Sequence, residues 1–162
     1  MTEKEMFLNT YEREFEITLA FLDAFPAGNL DFRPHPNLQS AQELAWSFVQ
    51  EERALVQGAL DGDVVLKKDP VPDTFEEIMS EYQKNHHAFV EKIKALPDSA
   101  FNETVTFGSG MRGAKQMRRG DIFWLAVMDA VHHRGQFSVY IRMTGGKVPP
   151  LRTAPGEVEG VK

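Results

Sequence analysis

The stretch 121-DIFWLAVMDAVHHRGQFSVYIRM-143 decides how the rest of this chain is read. At 3.6 residues per turn, Ile122, Ala126, Asp129, His133, Gln136, Tyr140 and Met143 share one face, apolar at both ends and polar in the middle. Phe123, Trp124, Leu125, Val127, Met128 and Val131 make the remaining faces apolar as well. A helix that is apolar all round belongs inside a bundle. A buried carboxylate and a buried imidazole four residues apart then need partners or a ligand. That polar belt is the candidate functional site.

Immediately upstream, FNETVTFGSGMRGAKQM (101–117) alternates Val105 and Phe107 with polar residues and then carries Gly108, Gly110 and Gly113. It predicts a short hairpin or irregular insert over 101–115, too brief to found a sheet. Before it, Phe75, Ile78, Met79, Tyr82, Phe89 and Ile93 give one apolar stripe of a helix over 74–95, capped by Asp73 or Thr74. His86 and His87 fall within this helix and are read as surface or boundary residues. Ser40-Ala41-Gln42-Glu43 is a capping box that opens a helix over 40–60. There Leu44, Ala45, Phe48, Leu55, Val56 and Ala59 face inward, with Ser47 and Glu51 one turn apart at the stripe's edge. Phe7, Tyr11, Phe15, Leu22 and Phe25 mark a first helix over 3–25. The last helix, 120–144, ends at Gly145-Gly146.

Four such helices without strong strands predict an all-α, up-down four-helix bundle spanning 1–151, followed by a polar tail, 152–162, expected to be mobile. Bundles of this kind build metal and cofactor sites from inward side chains on facing helices.

Composition narrows the function. At 162 residues with 42% apolar and 26% charged residues, the chain is a single globular domain by size. A formal net charge of −6 argues against nucleic acid as a partner. Arg112, Lys115, Arg118 and Arg119 form one local basic cluster, read as a solvated loop. The absence of cysteine excludes disulfides, iron–sulfur ligation and a cysteine nucleophile, and fits a reducing cytoplasm. The N-terminus is acidic and amphipathic, unlike a signal peptide, and no run is long and apolar enough to cross a membrane.

The run AVHHRGQFSVYIRMTGGKVP (130–149) closely resembles the last helix of the DinB/YfiT-like family of bacterial four-helix bundles. FPAGNLDFRPHPNLQSAQELAWSFVQEE (25–52) resembles the family's connector into its second helix. Order and separation fit, so the resemblance spans roughly Phe7 to Leu151. Family members generally hold a divalent metal with three histidines. One follows the Glu-Leu-Ala-Trp-like stretch; two lie four residues apart on the last helix, the later one before Arg-Gly-Gln. The matching positions are Ser47, Asp129 and His133, so one of the three histidines is retained.

Asp substitutes well for His as a ligand, but a neutral hydroxyl is a poor donor to first-row ions. Glu51, one turn beyond Ser47, or a water could fill the gap. Without metal, Asp129 and His133 would satisfy each other or a neighbour by hydrogen bonding. The resemblance therefore implies a degenerate metal site, with nickel or zinc at low occupancy, in a bundle with a ligand-binding or interaction role. The alternative is a divalent-metal-dependent enzyme of the thiol S-transferase or hydrolase type, using an external low-molecular-weight thiol or another small molecule. The resemblance also implies a homodimer paired through outer apolar faces. Arg134 and Gln136 are read as structural, with Gly135 between them allowing a close helix approach.

Overall fold

The computed structural model describes residues 1–110 and 113–151, and the expected tail at 152–162 lies outside them. Helix α1 (Glu3–Asp23) starts at a capping box between Thr2 and Glu5. Helix α2 (Ala41–Glu52) starts at the expected box between Ser40 and Glu43, and Arg33 also holds the Glu43 carboxylate at 2.8 Å. It continues through one π-helical turn (Arg53–Gln57) into the short α3 (Gly58–Asp61). Helix α4 (Phe75–Ala95) is boxed by Thr74 and Glu77. Helix α5 (Arg119–Met143) carries the quoted stretch and stops where Gly145 takes φ of 84°, with the Gly146 amide donating to Ile141 O.

The fold is mostly helical, and the all-α expectation is amended by a small sheet. Strand β2 (Thr104–Phe107) pairs antiparallel with β3 (Lys115–Arg118), Thr104 opposite Arg118. That hairpin begins in the insert predicted over 101–115 and runs past it to Arg118. On its other edge β1 (Asp63–Val64) pairs in parallel with β2, Val64 opposite Phe107. Two residues are too few to show a period in sequence. Gly58 makes this junction fit: a Cβ there would lie 2.8 Å from the Val64 Cα.

Helices α1, α4, α2 and α5 pack in that order around the axis, each against its two neighbours. Their directions differ from strict up-and-down alternation. Glu3 meets Arg118 at one end of the α1–α5 pair and Phe25 meets Phe137 at the other, so these helices are parallel. Glu52 meets His86 and Gln57 meets Lys92, so α2 and α4 are parallel too. Lys4 reaches Leu96 and Phe25 stacks near Phe75, so α1 opposes α4. The path is therefore up, down, down, up. Residues 62–74, extended at roughly 3.3 Å per residue, are long enough to return along the bundle. Trp46 Nε1 and Gln50 Nε2 both donate to Asp69 O and hold that return against α2.

Two apolar clusters fill the interior. One holds Phe25, Leu44, Ile78, Phe137 and Ile141; the other holds Phe7, Val56, Ile93, Phe101 and Phe123. Between them lies a polar layer contributed by all four long helices. Arg134, on α5, is buried within it. Its guanidinium donates to Glu14 Oε2 at 2.6 Å and to Thr18 Oγ1 at 3.3 Å. Burial alone would raise the Glu14 pKa, but Arg134 and Arg13 hold it below the ordinary carboxylate value. The sequence reading of Arg134 as structural agrees with this role. Arg118 and Arg119 are likewise engaged, with Glu3 and Asp121, and with Glu103 and the Ala59 and Ala100 carbonyls.

Removing one partner of a buried ion pair leaves the other charge stranded. Arg134→Met should lower unfolding free energy by about 3 kcal/mol in urea melts. Adding Glu14→Met should recover most of that loss. A single-variant loss below about 1 kcal/mol would mean the pair behaves as a surface contact.

Candidate metal centre

Consecutive residues on a helix point about 100° apart. On α2, which lies between α4 and α5, this sends Glu51 toward α5 and Glu52 toward α1 and α4. On α5, Asp129 and His133 stand one turn apart and face the same spot. One ligand atom from each of Glu51, Asp129 and His133 lies within 4.8 Å of the other two. Among the described residues, this is the group of His, Asp and Glu side chains that can converge on one ion.

His133 Nδ1 lies 2.9 Å from Glu51 Oε2, 3.0 Å from the Asp129 carbonyl and 3.8 Å from Asp129 Oδ1. Its N–H aligns with the Asp129 carbonyl, which leaves Glu51 Oε2 buried and without an aligned donor. An orphaned, buried carboxylate oxygen beside an imidazole is the arrangement a cation would complete. The residues therefore fit a metal ion. Burial raises the Glu51 pKa above the ordinary carboxylate value; Asp129 adds to the rise and His133 opposes it. The Glu51 carboxylate is the chief cause of a raised His133 pKa, against the effect of burial.

Ser47 is held elsewhere. Its hydroxyl donates to Glu43 O at 3.2 Å and accepts from Gln39 Nε2 at 3.0 Å. Gln136, expected in the inward belt, is exposed and contacts His132 Nε2 at 3.0 Å. Among the described residues nothing lies within 4 Å of a Cβ placed at Gly135, so it serves no close helix approach there.

The polar layer also holds residues that the sequence reading missed. His86, read as surface or boundary, is buried, with its ring stacked 3.8 Å from Phe15. Its Nδ1 lies 3.1 Å from Glu52 Oε1, which also accepts from the Tyr11 hydroxyl. Burial raises the Glu52 pKa, against the hydrogen bonds from His86 and Tyr11. Among the described residues, Glu52 Oε2 and His86 Nε2 have no hydrogen-bond partner. A cavity of about 20 Å³ lies here, bounded by Tyr11, Glu14, Glu51, Glu52, Tyr82 and neighbouring apolar side chains. That is room for about one water molecule. The signal for His86 was present: it sits in the Ile78, Tyr82, Phe89, Ile93 stripe.

Fold and site together define a helical-bundle protein whose polar layer carries a group able to hold a metal ion. The DinB family profile matches residues 1–156, and the chain belongs to the DinB family. It is similar to the uncharacterized protein YrdA of Bacillus subtilis, at 25% identity over 147 residues, covering 90% of this chain and 85% of that one. Among solved structures it is similar to a DinB-like protein from Bacillus cereus, with a TM-score of 0.78 and 27% identity over 90% of this chain and 95% of that one. A DinB-like protein of Bacillus subtilis, YjoA, shares the fold, with a TM-score of 0.73 and 14% identity over 92% of this chain and 99% of the other. Among the described residues no helix is long and apolar enough to cross a membrane.

Proposed function

We propose that this protein is a divalent-metal-dependent member of the DinB family, with Glu51, Asp129 and His133 as the protein ligands. The observation that carries this reading is the convergence of those three side chains around the orphaned Glu51 Oε2. Glu51 fills the gap left by Ser47, which favours a metal-dependent role over a metal-free one. A divalent ion bound there would supply Lewis acidity to a small-molecule substrate or co-substrate. Glu51 and Asp129 would offset its charge, and His133 would supply the nitrogen donor once Nδ1 gives up the proton it donates to the Asp129 carbonyl.

Calorimetric titration tests the assignment through two substitutions. Glu51→Gln should abolish uptake of one equivalent of divalent ion or weaken it at least tenfold, a loss of about 1.4 kcal/mol or more. Ser47→Ala should leave it unchanged, because the Ser47 hydroxyl is already held by Gln39 and Glu43. Binding that survives Glu51→Gln but fails in Ser47→Ala would transfer the role to Ser47. No binding of any divalent ion to the wild-type chain would remove the metal-dependent reading.

A homodimer is part of the same proposal. Helix α5 is apolar all round, yet one face is open, with Met128 61% and Met143 56% exposed. Val131 and Val139 lie four residues on either side of outward-facing Gly135, with Met128 and Met143 beyond them. A stripe that reads nearly the same in both directions suits a twofold pairing of antiparallel α5 helices. The partner's α5 would then meet Gly135 at the crossing point. Sedimentation at tens of micromolar should give a dimer mass, reduced to a monomer mass by Val139→Lys. A wild-type monomer at that concentration would contradict the pairing.

A further inference from the structure

Resting on the metal reading above, we propose that this site is built for a hard divalent ion, manganese-like or magnesium-like, and for an oxygen-donor ligand rather than a thiolate. The donor set carries the argument. Glu51 and Asp129 offer carboxylate oxygens and His133 offers one nitrogen. Oxygen donors suit magnesium, calcium and manganese, whereas added imidazoles favour nickel and zinc. Ser47 brings no nitrogen and is occupied by Gln39 and Glu43. The departures from three histidines therefore move the site in one direction, toward oxygen.

Charge strengthens the same conclusion. Three neutral imidazoles would leave a divalent ion with its full charge, which an anionic thiolate could neutralise. Here two carboxylates already offset that charge. An incoming thiolate would add a further negative charge to a half-buried place, where charges interact more strongly than in water. A neutral oxygen donor, such as a water or a hydroxyl or carbonyl group of a substrate, brings no such charge. Soft sulfur also binds hard ions poorly, so softness and electrostatics point the same way.

The test compares metals in one protein and then restores the imidazoles. Manganese, nickel and zinc affinities are measured by calorimetry and by manganese electron paramagnetic resonance on the wild-type chain, Glu51→His and Asp129→His. Each substitution should raise the nickel-to-manganese affinity ratio at least about tenfold. Circular dichroism checks that the variants keep their helix content. A readout on the wild-type protein alone guards against misfolded variants. Its cobalt-loaded form should show no sulfur-to-cobalt charge-transfer band with dithiothreitol, but its visible bands should shift with pyridine N-oxide, a neutral oxygen donor. Unchanged ratios, or a sulfur band in the wild-type chain, would overturn the oxygen-donor inference while leaving the metal site standing. Failure of every divalent ion to bind the wild-type chain would instead remove the metal site, and this inference with it.

Discussion

Carboxylates lodged at mid-bundle, Glu52 buried and Glu14 and Glu51 half-buried, constrain everything else in this structure. Glu14, Glu51 and Glu52 enter the interior between two apolar clusters, where an unpaired charge costs several kcal/mol. Each is answered from a different helix. Arg134 of α5 answers Glu14 of α1, Tyr11 of α1 and His86 of α4 answer Glu52 of α2, and His133 of α5 lies beside Glu51 of α2. The layer thus sets helix register: sliding one helix by a turn would strand at least one carboxylate. The apolar clusters above and below supply stability, and the polar layer supplies specificity of alignment.

Not all members of the layer are equally satisfied. The Glu14–Arg134 pair is closed, with charge-assisted hydrogen bonds and no orphan atoms among its described groups. Glu52 and His86 are closed on one side and open on the other. Glu51 is the least satisfied, since the imidazole N–H beside it aligns with a backbone carbonyl instead.

Much of this was legible in the sequence. The capping box at Ser40 fixed one helix start, and the choice of Asp73 or Thr74 as cap placed another to within a residue, Thr74 proving to close a box with Glu77. The i, i+4 spacing of Asp129 and His133 was enough to place both on one face of α5. Glu51 stood out as one turn beyond Ser47. Other features were hidden. Helix direction depends on the path of residues 62–74, whose prolines mark an extended segment but not where it leads. Strand β1 is too short to carry a period. His86 lay within an apolar stripe, but its burial depends on Glu52 and Tyr11 from two other helices, a pairing that no local window contains. The outward placement of Gln136 and Gly135 follows from which side of α5 meets α1 and α2, which an all-round apolar helix does not reveal.

The central claim is that Glu51, not Ser47, completes the site with Asp129 and His133. Anomalous diffraction from crystals grown with manganese tests it most directly. The account predicts one anomalous peak within coordination distance of all three side chains, with the Ser47 hydroxyl still turned to Gln39 and Glu43. A peak at Ser47 that leaves Glu51 uncoordinated, or one seated between Glu52 and His86, would contradict it.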